Sequence, residues 1–150
     1  EALQIYRRFD RHIEGATQLD NIGAVHVQRG AFDQALTAYD EALHIFTRIG
    51  HRQGQAAELS NIGNIHFNQN RLGQALASFQ NALYIFDLID HPRGQADCLG
   101  NIGLVLRDQG NGAQALEHLR KARALYERLG VHSAGAERVA GAIAALEAGH

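Results

Sequence analysis

Asn21-Ile22-Gly23 recurs as Asn61-Ile62-Gly63 and again as Asn101-Ile102-Gly103, at a constant spacing of forty residues. The other residues that keep this spacing are Ala16/Ala56/Ala96, Leu19/Leu59/Leu99, Val25/Ile65/Val105, Gln34-Ala35-Leu36/Gln74-Ala75-Leu76/Gln114-Ala115-Leu116 and Ala42/Ala82/Ala122. A fixed period of about 20 to 50 residues is typical of proteins built from stacked copies of one unit. The chain is therefore predicted to be a repeat protein.

Each unit contains two stretches with helical periodicity. In the second unit, apolar or small residues from Gln55 to Gln69 cover one side of a helix, here called helix A. A second apolar stripe, from Leu72 to Phe86, predicts an amphipathic helix B. We expect seven to eight antiparallel helices and no strand. Turns are predicted near Arg29-Gly30, Asn70-Arg71 and Gly110-Gly112, and loops near Asp10-His12, Gly50-Gln53, Asp90-Arg93 and Gly130-His132.

The chain is predicted to be a single domain, residues 1–150, made of consecutive units. The expected parts are a partial repeat with only its second helix (1–10), repeats at 11–50, 51–90 and 91–130, and a C-terminal capping helix (131–150). Residues 1–10 are similar to residues 41–50, so the chain is expected to open in the second half of a repeat. With no starting Met, it is expected to be a fragment of a longer protein.

Small residues recur where helix A and helix B of one unit should meet. They are Gly23, Gly63 and Gly103 on helix A and Ala35, Ala75 and Ala115 on helix B. Glycine inside a helix costs about 0.5–1 kcal/mol relative to alanine. Because this cost recurs three times, we predict that the two helices of each unit approach closely at these glycines.

The second unit resembles the tetratricopeptide repeat in a forty-residue form. The residues that match the pattern of this family are Leu59, Ile62-Gly63, His66, Ala75, Phe79 and Ala82. The unit is similar to the repeats of Pins-type spindle-orientation adaptors, with kinesin light chain and bacterial forty-residue repeat regulators as looser relatives. The resemblance implies an all-α solenoid of stacked antiparallel helix pairs, in which helix A lines the inner surface.

If helix A lines the inner surface, its polar face forms a groove that can hold a peptide. The residues that we expect to bind it are Asp20, Asn21, Ala24, Gln28, Ser60, Asn61, Asn64, Phe67, Asn68, Asp97, Asn101, Leu104, Arg107 and Asp108. An asparagine amide both donates and accepts hydrogen bonds, so it can pair with the backbone of a peptide of any sequence. Alternatively, Asn21, Asn61 and Asn101 bond only to neighbouring helices and hold the repeats together.

The charges near this groove suggest what it binds. Five acids, Asp20, Asp97, Asp108, Glu137 and Glu147, stand against one cation, Arg107. An acidic groove favours a basic ligand, so we expect Lys or Arg near Asp97, Asp108 and Glu147, with an apolar residue over Phe67 and Leu104. Chaperone-binding members of the family grip a carboxylate with Lys or Arg, but the matching places here are Asp20, Ala24 and Asp97, which disfavours a chaperone tail.

Composition excludes several other classes of function. A net charge of -2 and a pI near 6.5 provide no field for nucleic acid or an anionic membrane, and no run is apolar enough to span a bilayer. The nine histidines show no HExxH or CxxC-type metal spacing, so no metal or cofactor is expected. The single cysteine, Cys98, is expected in the core and fits a reducing, cytoplasmic location. No catalytic motif is present, so the chain is predicted not to be an enzyme.

The leading hypothesis is a non-enzymatic module for protein–protein interaction that binds a short peptide of a partner. One alternative is a self-associating scaffold, in which the first helix or the small-residue-rich capping helix pairs with another copy. Another alternative is a peptide-sensing regulatory domain of a larger protein, whose curvature changes on binding. Light scattering against concentration separates the first two.

Overall fold

The computed structural model describes residues 1–149, and within that range the chain is all α-helix, with no strand. The helices are α1 (Ala2–Gln28), α2 (Phe32–Ile49), α3 (Arg52–Asn68), α4 (Leu72–Leu88), α5 (Pro92–Asp108), α6 (Gly112–Leu129) and α7 (Ala134–Glu147). Each helix packs on the next one along the chain, and α5 also contacts α3 and α7. The fold is the predicted α-solenoid, with α1, α3, α5 and α7 in the helix A positions.

The helix junctions follow the forty-residue period closely. A residue with positive φ stands at every twentieth position from 30 to 130: Gly30, Gly50, Asn70, Asp90, Gly110 and Gly130. This left-handed conformation ends a helix and lets the chain turn back, and glycine, asparagine and aspartate adopt it most readily. All the turns and loops predicted from the sequence beyond residue 12 contain one of these residues, and they are confirmed to within a few residues.

The loop predicted near Asp10-His12 is wrong, because α1 runs unbroken through these residues. Asp10 is not the obstacle, since Asp90 at the equivalent place takes a left-handed φ of 49°. The first junction differs from the others in the residues that follow Asp10. Arg11 stands where other units have a capping histidine, and its Nε instead donates within α1 to the carbonyl of Arg7, at 3.3 Å. Glu14 stands where those units have a glycine.

At the α2–α3 and α4–α5 junctions, that glycine leaves room for an aromatic ring of the preceding helix. The ring of Phe46 lies against Gly54, where an added Cβ would be only 2.6 Å from the ring, and Phe86 lies against Gly94 in the same way. Glu14 leaves no such space for Tyr6. The first half of α1 therefore extends away from the stack, and Leu3, Ile5 and Tyr6 are 61%, 63% and 68% exposed.

Two histidines begin helices at the junctions between units. His51 Nδ1 accepts a hydrogen bond from the backbone N–H of Gly54 at 3.0 Å, and His91 Nδ1 accepts one from Gly94 at 2.9 Å. Each ring also lies beside a phenylalanine of the preceding helix, with centroids 5.2 Å apart for Phe46 and His51. These histidines are therefore N-caps, a role that the sequence analysis did not assign.

The close approach of helices within each unit is confirmed. A Cβ added to Gly63 would lie 2.8 Å from the ring of Phe79, and one added to Gly23 would lie 2.5 Å from the ring of Tyr39. Gly103 accommodates Leu119 in the same way, at 2.5 Å. Each helix A glycine is thus the socket for a large core side chain of helix B, and this contact fixes the spacing of the two helices.

Candidate functional site

The inner side of the stack carries a cavity of about 350 Å³ between α3, α5 and α7. Its polar lining includes Asn61 and Asn64 from α3 and Asn101 from α5. Tyr126 of α6 and Val139 of α7 also line it. Gly100 lets α7 pack closely on α5 beside the cavity, since a Cβ there would lie 2.9 Å from Val139 Cγ2. This cavity is the candidate functional site.

The structure brings together six of the predicted peptide-binding residues in this cavity. They are Ser60, Asn61, Asn64, Asp97, Asn101 and Leu104. The other eight, which do not line it, are Asp20, Asn21, Ala24, Gln28, Phe67, Asn68, Arg107 and Asp108. Leu104 is only 6% exposed, and Phe67 is half-buried against the core, so neither offers the broad apolar surface that was expected.

Two polar side chains that line the cavity were missed by sequence reasoning. Tyr126 belongs to helix B of the third unit, and Arg138 belongs to the capping helix. A signal for Arg138 exists in the repeat register, since its equivalents are Gln18, Glu58 and Cys98 and only this unit has a cation there. Tyr126 has no such signal, because an aromatic residue occurs at this helix B position in the other units too.

Asp97 is held by two neighbours on the wall of the cavity. The hydroxyl of Tyr126 donates to Asp97 Oδ1 at 2.5 Å, and Arg93 Nε lies 3.2 Å from Oδ2. The guanidinium of Arg93 also lies 5.9 Å from the centre of the Tyr126 ring. Burial, followed by the hydrogen bond to Asp97, raises the pKa of Tyr126 well above its usual value, so the phenol stays protonated and keeps donating. Asp97 is therefore committed to intramolecular contacts.

Two of the other acids expected to make the groove negative, Asp108 and Glu147, are also paired. Arg107 lies 2.8 Å from Asp108, and Arg120 of α6 lies 3.0 Å from Glu147. Glu147 thus contacts helix B of the third unit and does not line the cavity. Arg93 and Arg120 thus offset part of the negative charge, while Asp20 and Glu137 have no ion pair within residues 1–149, so the basic ligand stays a prediction.

The asparagines were considered for two roles, binding a peptide and holding the repeats together, and their contacts differ. Asn61 Nδ2 donates to Asp20 Oδ1 at 2.9 Å, which ties α3 to α1 and supports the repeat-holding role for this residue. The side chains of Asn64 and Asn101, by contrast, make no hydrogen bond within residues 1–149. Both amides line the cavity and can bond to a ligand.

A buried acid beside the Asp20–Asn61 contact was not anticipated. Glu58 of α3 is 2% exposed, and its Oε2 has no hydrogen-bond partner within residues 1–149. Burial, and then the nearby charge of Asp20, raise the pKa of Glu58 to about 8. Burial also raises the pKa of Asp20, although the bond from Asn61 opposes this. The first interface between repeats therefore contains two acids that bind protons more tightly than free carboxyl groups do.

Cys98 lies in the core, as expected, with its Sγ 3.5 Å from the hydroxyl of Ser60. Burial raises the pKa of this thiol to about 11, so it is neutral near pH 7 and a poor nucleophile. Within residues 1–149, no group of three or more His, Cys, Asp or Glu side chains could hold a metal ion. Nor does that range contain a helix long and apolar enough to cross a membrane.

Comparison with known proteins identifies the family. The family model described as the tetratricopeptide repeat matches residues 54–128, and a second model of the same description matches residues 16–49. The chain belongs to the tetratricopeptide repeat family, whose members are generally non-catalytic modules for protein–protein interaction. No curated protein sequence matches the chain significantly.

Solved structures share the fold at low sequence identity. The apo form of RapI has a TM-score of 0.84 at 17% identity, over 92% of this chain and 38% of that one. BtubC (BKLC) from P. vanneervenii has a TM-score of 0.74 at 18% identity, over 87% and 54%. Aspartyl phosphate phosphatase F from Bacillus subtilis has a TM-score of 0.75 at 18% identity, over 79% and 31%. The chain thus spans little more than half of BtubC and less of the other two.

Proposed function

We propose that this chain is a non-enzymatic module that binds a short peptide segment of a partner protein on its inner surface, with the cavity between α3, α5 and α7 as the main contact. The observation that supports this most is that one cavity is lined by two asparagine amides, those of Asn64 and Asn101, which make no hydrogen bond within residues 1–149. Amides placed in this way can pair with the N–H and C=O groups of an extended backbone. Family membership supports the same class of function.

The test is a screen of twelve-residue peptides of random sequence against the whole chain, followed by affinity measurements on those that bind. Replacing Asn64 and Asn101 together by alanine should weaken the selected peptides by about 10-fold or more, since each lost hydrogen bond contributes about 0.5–1.5 kcal/mol. The matched control replaces two exposed amides of α4, Gln74 and Gln80, by alanine. If the control lost binding and the cavity variant did not, the site would lie on the outer surface.

A second candidate, self-association, is favoured by the exposed apolar residues of the first half of α1. Leu3, Ile5 and Tyr6 resemble in type the residues 43, 45 and 46 that pack in the next unit. A second copy of the chain could cover them, which would make the array a scaffold. A reducing, cytoplasmic location remains our prediction for either function, on the basis of a single buried thiol.

A further inference from the structure

The first interface between repeats, where α1 and α2 meet α3, has two acids where the next interface has neutral groups. At the second interface, the hydroxyl oxygen of Ser60 on α3 lies 3.5 Å from Cys98 Sγ on α5. One repeat earlier, the same two positions hold Asp20 of α1 and Glu58 of α3. The register therefore brings two carboxyl groups together at the first interface, and the charge of each acts on the other group or its neighbours.

A negative charge on Glu58 would be buried without a counter-ion. The side chain is 2% exposed, and its Oε2 has no hydrogen-bond partner within residues 1–149. The titratable groups that act on it are Asp20 from α1 and Tyr39 from α2, and neither is a cation. No charged group of α4 or α5 acts on it in the described part of the chain. The amide of Asn61 favours the charged form, but burial and the charge of Asp20 have the larger effects.

Different contacts hold the two sides of this interface. Between α2 and α3, Ile62 and Ile65 belong to one apolar cluster with Tyr39. Between α1 and α3, Asn61 donates a hydrogen bond to Asp20, and these two helices come less close than α3 and α5 or α5 and α7 do. The apolar contact with α2 can therefore persist while α1 moves away from α3.

We propose that the first interface is a pH-operated hinge, in which α1 lies against α3 while Glu58 is protonated and swings away from α3 when Glu58 ionises. The apolar contact between α2 and α3 is the pivot. Opening lets water reach the carboxylate, which removes the cost of a buried charge. Every helix stays intact in both forms, but the curvature of the inner surface changes at the first repeat. This regulation goes beyond the proposed peptide binding and does not depend on it.

The direction of the response follows from where Glu58 holds its proton more tightly. Burial, and then the charge of Asp20, raise the pKa of Glu58 to about 8 in the closed form, and exposure to water brings it back toward 4.5. The open form thus binds the proton more weakly, so rising pH favours opening. The ratio of open to closed molecules should increase by up to about 10-fold per pH unit between about 4.5 and about 8, and it should level off above that range.

The experiment measures the distance between two spin labels across each interface as the pH is raised from 5 to 9. Gln28→Cys with Asn68→Cys places labels at exposed, equivalent positions at the ends of α1 and α3. Asn68→Cys with Asp108→Cys places them in the same way across α3 and α5, as the matched control. Cys98→Ala in both proteins confines labelling to the new thiols. We expect a longer distance to be populated at pH 9 in the first pair, and an unchanged distance in the second.

Two variants test whether Glu58 is the trigger. Glu58→Gln keeps the size of the side chain and cannot ionise, so the first pair of labels should keep its closed distance at pH 9. Glu41→Gln removes an exposed acid of α2 and should leave the pH response as in the wild type. Circular dichroism at each pH measures the helix content, which opening of a hinge preserves.

Four results would overturn the hinge. The first is a wild-type distance across α1 and α3 that is the same at pH 5 and pH 9. The second is a Glu58→Gln variant that still opens, which would make another group the trigger. The third is an equal change in both label pairs, which would mean that the whole stack loosens. The fourth is a loss of helix content over the same pH range, which would mean that α1 unfolds and does not swing.

Discussion

Asp20 and Glu58 are two acids close enough to repel each other at the first interface between repeats, and Glu58 is almost completely buried there. The pKa of Glu58 in the folded chain is about 8, against 4.5 for the unperturbed group. The folded state therefore binds a proton more tightly than the unfolded state between these two values. By linkage, the contribution of Glu58 to stability is lost as the pH rises from about 4.5 to about 8.

The first prediction follows from this loss of stability with rising pH. Glu58→Gln keeps the size of the side chain and removes its charge, so it should be on the order of 2–4 kcal/mol more stable than the wild type at pH 9. At pH 5, where Glu58 is protonated in the folded state, the two should be nearly equally stable. The measurement is urea unfolding at pH 5, 7 and 9. Glu41→Gln, which removes an exposed acid of α2, is the control and should show no such dependence.

The second prediction concerns the close contact of Gly63 with Phe79. Gly63→Leu should destabilise the chain by at least about 1–3 kcal/mol, because an added Cβ would already lie 2.8 Å from the Phe79 ring. Gly141→Ala is the matched control: a Cβ there meets nothing within 4 Å, so this change should stabilise α7 by about 0.5–1 kcal/mol. Unchanged melting of Gly63→Leu would mean that the contact does not set the helix spacing.

The third prediction tests histidine capping at the junction before α5. His91→Ala removes the acceptor for the Gly94 N–H and should cost about 0.5–2 kcal/mol in the free energy of unfolding. His91→Asn offers another acceptor, a side-chain oxygen, and should recover much of this loss. His132→Ala changes an exposed histidine outside the helices and should have little effect. If His91→Ala and His132→Ala lowered the free energy of unfolding equally, His91 would not be the N-cap of α5.

The repeat period predicted most of the fold, because helix periodicity and turn residues are local and occur three times. It was misleading at the first junction, where Arg11 and Glu14 replace a capping histidine and a glycine, so residues 1–10 continue into α1 without a break. The site was predicted only in part, because the repeat pattern identifies residues on the helix A face and not those that other helices contribute. Asn64 and Asn101 lie on the repeated helix A face, but Arg138 and Tyr126 reach the cavity from other helices.

The charge of the site could not be predicted by summing acids along one helix face. The hydroxyl of Tyr126 and the guanidinium of Arg93 hold Asp97, and Arg120 offsets Glu147 from a neighbouring helix. Tyr126 and Arg120 stand on other helices, so only the packing of the repeats reveals them, whereas Arg93 lies four residues before Asp97 on α5 and is visible in the sequence.

The fourth prediction concerns the exposed first half of α1. If it mediates pairing between copies, light scattering should show the mass of the wild type rising with protein concentration. Replacing Leu3 and Tyr6 together by glutamate should then keep the chain monomeric, because charged side chains cannot be buried there without a partner. Tyr84→Glu introduces a charge at another exposed aromatic residue, on α4, and should not prevent pairing. A strictly monomeric wild type at high concentration would refute self-association.

The last prediction fills the space beside Asn101 with a carboxylate of the chain itself. Ser60 occupies the register position of Asp20, and Asn101 that of Asn61, so Ser60→Asp should recreate the Asp20–Asn61 hydrogen bond one repeat later. The new carboxylate would then occupy the Asn101 amide, which we propose binds the peptide. Selected peptides should bind about 2- to 10-fold more weakly, since they lose one hydrogen bond. Ser60→Asn adds a side chain of the same shape without the charge, so it separates blocking by size from blocking by charge. The side-chain amide resonances of Asn101 should shift in Ser60→Asp without any ligand. A Ser60→Asp variant that still binds the selected peptides with wild-type affinity would place them away from Asn101.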